Sequence, residues 1–190
     1  MRNFKNYGKI DISGFLEVFN SQKLDWDEFD FRQKKFHVHK ETKCVPLIFS
    51  EEQYGAFSSS ENDVEKMTEG SQTKNYPFFK KELDKIETHL KKIIDEDGYV
   101  FRAILVNLPA GNKVHPHIDK GKSFRVPRRI HLPIQTNPNC FFTVGGITKN
   151  LKLGELWEIN NNGIMHSVSN EGDTDRVHLI LDWVKRENAE

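Results

Sequence analysis

Cysteine is scarce in this chain, charge of one sign does not dominate, and long apolar runs are missing. Its 190 residues hold two cysteines, Cys44 and Cys140, too few for a disulfide framework or a cysteine-rich zinc site. The 28 basic and 28 acidic side chains cancel, which leaves no electrostatic case for nucleic acid or a membrane surface as partner. No apolar stretch approaches bilayer-spanning length, and the opening MRNFKNYGKIDISGF lacks an apolar signal core. There is no internal repeat or low-complexity tract. The expectation is a single domain over 1–190, large enough for its own core, in a reducing, cytoplasmic compartment. The alternative for the cysteines is a structural pair that says nothing about location.

What is present changes character half-way along. Ile12, Phe15, Leu16 and Phe19 recur at helical spacing behind Asp11 as a cap. Lys35 to His39 alternates and Cys44 to Phe49 is apolar, so both read as strands. Ser58 to Lys74 is polar with almost no apolar anchor, a loop that is either disordered or a mobile cover over a site. Pro77 to Asp97 reads as the main helix, with Leu83, Ile86, Leu90 and Ile93 on one face and Gly98 ending it.

From Tyr99 onward the pattern becomes short strands separated by turn residues: Val100–Leu108, Arg129–Gln135, Cys140–Val144, Leu151–Ile159, Ser167–Ser169 and Val177–Val184. Pro109 to Asn112 and Asn160 to Gly163 are turn chemistry. A helix-rich part over 1–98 followed by a strand-rich core over 99–185 predicts a mainly β fold with flanking helices. A barrel-like, cupin-type jelly roll suits the element count.

The chemistry gathers in the strand-rich half. His117 and Asp119 lie two apart, on one face of a strand, and His166 follows the Asn/Gly turn. Two imidazoles and a carboxylate fill one face of an octahedron and leave the rest open, which is the donor set of a mononuclear Fe(II) centre that uses O2. Arg176, ten residues on, suits a dicarboxylate co-substrate such as 2-oxoglutarate, because a guanidinium grips a carboxylate bidentately and keeps its charge. Arg129 and His131 repeat the two-residue spacing, although either arginine also reads as a surface residue of an edge strand. His115 is expected beside the pocket; His37, His39 and His178 could reach it, but structural roles are the expectation. Phe141-Phe142, Trp157 and Trp183 read as core, and Glu155 as part of a turn. Lys122, Arg125 and Arg128 read as a solvated loop or a grip on a substrate carboxylate. Two other classes stay open: a non-catalytic cupin-like module that holds a metal or ligand, and a zinc hydrolase on a similar barrel.

The segments NLPAGNKVHPHID, RIHLPI, GELWEINNNGIMHSVSN and DRVHLILDWV together resemble the aspartyl/asparaginyl β-hydroxylase family of 2-oxoglutarate oxygenases. The resemblance spans about Val100 to Trp183. It implies a double-stranded β-helix, iron on His117 and His166, and Arg176 on the distal carboxylate of 2-oxoglutarate. It also implies that Arg129 and His131 approach the end that chelates the metal. The family's founding vertebrate enzyme has no carboxylate at the place of Asp119, so that ligand rests on the wider oxygenase superfamily and on donor chemistry. The family's co-substrate serine has no counterpart, since Leu105-Val106-Asn107 stands there. The substrate implied is an amino-acid residue, free or within a peptide or protein.

Overall fold

Strands alternate side chains between two faces, and that period explains the architecture. The computed structural model describes residues 3–49, 70–94, 96–119 and 127–186. In chain order the elements are β1 (Phe4–Lys9), α1 (Ser13–Ser21), α2 (Phe31–Lys35), a 3₁₀ turn (His37–His39), β2 (Lys43–Ile48), α3 (Tyr76–Ile94), β3 (Gly98–Leu108), β4 (Lys113–His117), β5 (Arg128–Gln135), β6 (Cys140–Val144), β7 (Ile147–Lys149), β8 (Glu155–Ile159), β9 (His166–Asn170) and β10 (Arg176–Lys185). They form a six-stranded sheet, β1-β8-β5-β10-β3-β2, and a four-stranded sheet, β4-β9-β6-β7. Every strand pairing within the sheets is antiparallel. This is a jelly roll, the expected cupin-like core.

The central strands of the large sheet are buried on both faces, but with different chemistry on each. On β10, Val177, Leu179, Leu181 and Trp183 join α1 and α3 in the main core, packed with Phe15, Phe79, Leu83, Ile86 and Leu90. The intervening Arg176, His178 and Asp182 are just as buried, yet polar. On β5, Ile130, Leu132 and Ile134 face the helices, while Arg129 and His131 line a cavity between the sheets. The helices stabilise through that apolar face, each buried Leu or Ile contributing about 1.5–3 kcal/mol. A second cluster, Phe4, Leu108, Val114, Phe142, Val144, Ile159 and Val168, closes the space between the two sheets.

Several expectations change. Lys35 to His39 is the end of α2 plus the 3₁₀ turn rather than a strand. A 3₁₀ turn eclipses residues three apart, and Phe36 and His39 meet edge to face with ring centroids 6.2 Å apart. The expected strand Leu151–Ile159 begins only at Glu155, because Gly154 has φ +76° and Glu155 N–H donates to the Lys152 carbonyl in a tight turn. The hairpin strand β7 and the edge strand β1 were not expected. Both edges of the large sheet, β1 and β2, come from the helix-rich part of the chain. Gly98 starts β3 instead of ending a helix, and a Cβ there would lie 2.6 Å from the Trp183 indole, so close approach requires the glycine. Asp11 does accept from the Ser13 N–H at 2.9 Å, at the start of α1. Of the expected loop Ser58–Lys74, residues 58–69 lie outside the described residues, as do Lys122 and Arg125. None of the described helices is long and apolar enough to cross a membrane.

Candidate metal centre and co-substrate pocket

β4 and β9 pair so that His117 and His166 stand opposite each other, with ring centroids 4.2 Å apart. Asp119 lies two residues beyond, in a bridge with Asn162. The turn that returns the chain to His166 passes through Gly163 at φ +67°, a conformation glycine adopts without strain. One donor atom from each of His117, Asp119 and His166 lies within 4.8 Å of the others. Asp119 Oδ1 is 3.6 Å from His117 Nε2, and Oδ2 is 3.7 Å from His166 Nε2. Donors at right angles and about 2.1 Å from a shared ion stand about 3 Å apart, so a small closure brings these three to ligation.

Backbone carbonyls fix which nitrogen each histidine offers. His117 Nδ1 lies 2.7 Å from the His115 carbonyl, and His166 Nδ1 lies 3.0 Å from the Ile164 carbonyl. A carbonyl only accepts, so both Nδ1 atoms carry protons and both Nε2 lone pairs are free for a metal. Burial lowers the His166 pKa, against the Ile164 hydrogen bond and the Asp119 charge, which favours the neutral imidazole a metal needs. Asp119 is oriented in turn: Asn161 Nδ2 donates to its Oδ2 at 2.6 Å and Arg129 Nη1 at 3.3 Å. Asn161 sits in the Asn/Gly run that the sequence presents only as turn chemistry. The donor chemistry therefore fits a hard or borderline divalent ion such as iron.

The three donors open onto a cavity of about 360 Å³. Arg129 and His131 form part of its wall. Arg129 is gripped by Asp182, Nε at 2.9 Å from Oδ1 and Nη2 at 3.0 Å from Oδ2, and Asp182 also meets Arg102 at 3.1 Å. Deeper lies Arg176, 4% exposed. Its Nη2 donates to His178 Nδ1 at 2.8 Å, so His178, expected to be structural, braces it. Among the described residues no carboxylate pairs with Arg176, and burial pulls its pKa down to about 10. Arginine does not give up its proton in a folded protein, so the shift marks a cation lacking a counter-ion.

The wall facing His117 comes from the helix-rich part of the chain: Arg32, Phe36, Val38, His39 and Thr42. His39 stacks edge to face on His117 at 5.6 Å, and burial together with the Arg32 charge drives its pKa far down. Of these, the sequence presents only His39 as able to reach the pocket, with a structural role preferred; Arg32, Phe36, Val38 and Thr42 were not expected there. Their signal, an arginine and a histidine seven apart in a stretch that reads as a strand, is too faint to find from sequence. His115 contributes its carbonyl and its side chain stays outside the cavity. Arg128 is not a grip on substrate, since its guanidinium pairs with Glu96 and Glu158.

A family model for aspartyl/asparaginyl beta-hydroxylase matches residues 6–186. The chain belongs to that family. No curated protein matches it in sequence. Among solved structures, the hydroxylase-family chain is similar to an oxidoreductase of the 2OG-Fe(II) oxygenase family from Burkholderia pseudomallei, at TM-score 0.56 and 8% identity, covering 78% of this chain and 70% of that one. It is also similar to a prolyl-4-hydroxylase from Pseudomonas putida, at TM-score 0.53 and 11% identity, covering 98% and 95%. At such identities the likeness is one of fold, and it agrees with the jelly roll described above.

Proposed function

We propose that the protein is an Fe(II)- and 2-oxoglutarate-dependent dioxygenase that hydroxylates an unactivated C–H bond of an amino-acid residue, free or in a peptide or protein. One observation carries the reading. A three-donor set, His117, Asp119 and His166, opens onto the same cavity as a buried guanidinium, Arg176, that no described carboxylate neutralises. A dicarboxylate co-substrate supplies that missing charge at one end.

When bound, ferrous iron with 2-oxoglutarate and O2 supplies oxidative decarboxylation to succinate and carbon dioxide, coupled to insertion of an oxygen atom into a C–H bond. The chain's own groups bind and orient. His117 and His166 present Nε2, held by the His115 and Ile164 carbonyls. Asn161 and Arg129 occupy Asp119 Oδ2 and leave Oδ1 to the metal. Arg176 takes the distal carboxylate, steadied by His178. Arg129 and His131 flank the chelating end, Arg129 with its position set by Asp182. Val106, Val114, Phe142, Val168 and Ile180 line the remaining wall and keep it dry.

The test is an anaerobic titration with Fe(II) and 2-oxoglutarate, watching for the visible charge-transfer absorption of an iron-bound 2-oxo acid. The band should form with the native protein and vanish in His166→Ala, and air should then release succinate. Metal binding with no band and no succinate overturns the reading in favour of a non-catalytic metal- or ligand-binding module.

A further inference from the structure

Residues two apart on a strand share a face, so β10 sets Arg176 and His178 side by side. Its register against β5 puts His131 opposite Ile180, which makes His131 the diagonal neighbour of His178. All three side chains are buried. Arg176 and His131 line the cavity and share the Phe142 ring, the guanidinium carbon 5.9 Å and the imidazole 5.1 Å from its centroid. His178, 1% exposed, touches both of them through a single atom, Nδ1.

One lone pair thus serves two donors. A guanidinium only donates, so the 2.8 Å contact from Arg176 Nη2 leaves His178 Nδ1 unprotonated and puts the ring proton on Nε2. His131 Nδ1 lies 3.4 Å from the same nitrogen. Two facing lone pairs repel, so His131 Nδ1 carries a proton and directs it at His178, and His131 Nε2 keeps the lone pair. Both rings are neutral, because burial and the Arg176 charge push both pKa values well down. A neutral acceptor does for Arg176 what a carboxylate does not. Asp182 orients Arg102 and Arg129 and offsets their charge in the same act. An imidazole orients the guanidinium by one hydrogen bond and leaves its charge for an incoming anion.

We propose that His178 is a positioning residue for the co-substrate: its one Nδ1 lone pair sets Arg176 for the distal carboxylate and fixes the tautomer of His131, without neutralising the arginine. The proposal rests on the oxygenase reading and assigns what holds the clamp before 2-oxoglutarate arrives. It also ties the two ends of the co-substrate together, since the residue that steadies the distal clamp is the one that decides which nitrogen of His131 bears a proton.

The experiment varies what stands on Cγ of residue 178. Asparagine keeps a neutral acceptor there, leucine removes it, and aspartate adds a charge to it. 2-Oxoglutarate binding is measured by calorimetry on anaerobic, Fe(II)-loaded protein, and melting temperature on ligand-free protein. His178→Leu should lose about tenfold in affinity, the size of one hydrogen bond to a charged group, and His178→Asn should recover most of it. His178→Asp should melt higher than the native protein yet bind 2-oxoglutarate at least about 100-fold more weakly, because its carboxylate takes the counter-ion's place beside Arg176. Nitrogen–proton NMR correlations of the imidazoles in the native protein should show His178 protonated on Nε2 and His131 on Nδ1. A leucine variant that binds as tightly as the native protein, an aspartate variant that binds as tightly as the asparagine one, or a His131 protonated on Nε2 overturns this proposal alone. A native protein that takes up Fe(II) but no 2-oxoglutarate overturns the oxygenase reading, and the proposal with it.

Discussion

Buried arginines meet this molecule's inner space in two ways. Arg102 and Arg129 converge on one carboxylate, Asp182, which is 1% exposed. Arg176 and Arg32 are buried as well, whereas Arg129 is half-buried, and among the described residues neither Arg176 nor Arg32 has a carboxylate in an ion pair. Burying a charge is costly unless it is paired, so the two arrangements imply different purposes. The paired set is finished without a ligand and fixes architecture, carrying its order through Arg129 to Asp119. The unpaired set carries charge that no described carboxylate neutralises, and the proposed dicarboxylate co-substrate would supply it at Arg176. A buried arginine alone therefore says little, and its counter-ion decides between scaffold and site.

The paired side should break hardest. Asp182→Asn removes the carboxylate on which Arg102 and Arg129 converge, and removing one partner of a buried pair costs about 3–5 kcal/mol. In a protein of this size that lowers the melting temperature by roughly 10 °C, readable by calorimetry, and it loosens Asp119 as well. Burial pushes the Asp182 carboxyl up, but Arg129 and Arg102 outweigh it, so its pKa lies below the usual value. Folding therefore selects the ionised form. The stabilisation is fully present above the unfolded pKa of about 4 and fades as pH falls through the lower folded value. The native protein and the variant should differ by a constant amount from pH 5 to 8 and converge in stability below about pH 4. A difference that persists undiminished into acid would show that shape, not charge, explains the penalty.

The unpaired side should respond with the opposite sign. With the folded pKa of Arg176 pulled by burial from its ordinary value down to about 10, its protonated form is disfavoured by folding, and the cost holds at every pH below that value. A shift of that size corresponds to roughly 3 kcal/mol as an upper bound. Arg176→Met should thus melt higher than the native protein, by about 1–2 kcal/mol, while losing at least about 100-fold, or 2.7 kcal/mol, in 2-oxoglutarate affinity. The native protein, but not the variant, should gain stability when 2-oxoglutarate is added, since a ligand that binds the folded state stabilises it by mass action. A variant that melts lower and still binds 2-oxoglutarate would erase the distinction between the two sets.

How much of this is legible in the sequence follows the same division. The two-residue spacing of Arg129 with His131 and of Arg176 with His178 is visible as written, because a strand places such pairs on one face whatever surrounds it. The helix α3 is visible for a similar reason, in Leu83, Ile86 and Leu90, although Ile94 rather than Ile93 is the fully packed end of the stripe. Asp182 looks like one acidic residue in an apolar strand until the register sets it opposite Arg129. Arg32 and His39 are harder still, since Lys35 to His39 alternates like a strand, and only the tertiary fold brings this turn against His117. The strand β1 buries few of its six residues, so it has little apolar signature, and its pairing with β8 joins residues about 150 positions apart.

The mildest test asks how far the paired set reaches. Asn161 and Arg129 both donate to Asp119 Oδ2, and groups that orient a metal ligand typically contribute 10–100-fold in metal affinity. Arg129 is itself anchored by Asp182, whereas Asn161 is a single neutral donor on a turn. Asn161→Ala should therefore fall at the low end, about tenfold in Fe(II) affinity, with 2-oxoglutarate affinity unchanged once iron is saturating and little change in melting temperature. Asn161→Asp should be worse than alanine, because it puts a second carboxylate against Asp119 where a donor stood. Equal iron affinity in the native protein and Asn161→Ala would mean that Arg129 alone holds Asp119, and that the scaffold anchored on Asp182 extends all the way to the metal.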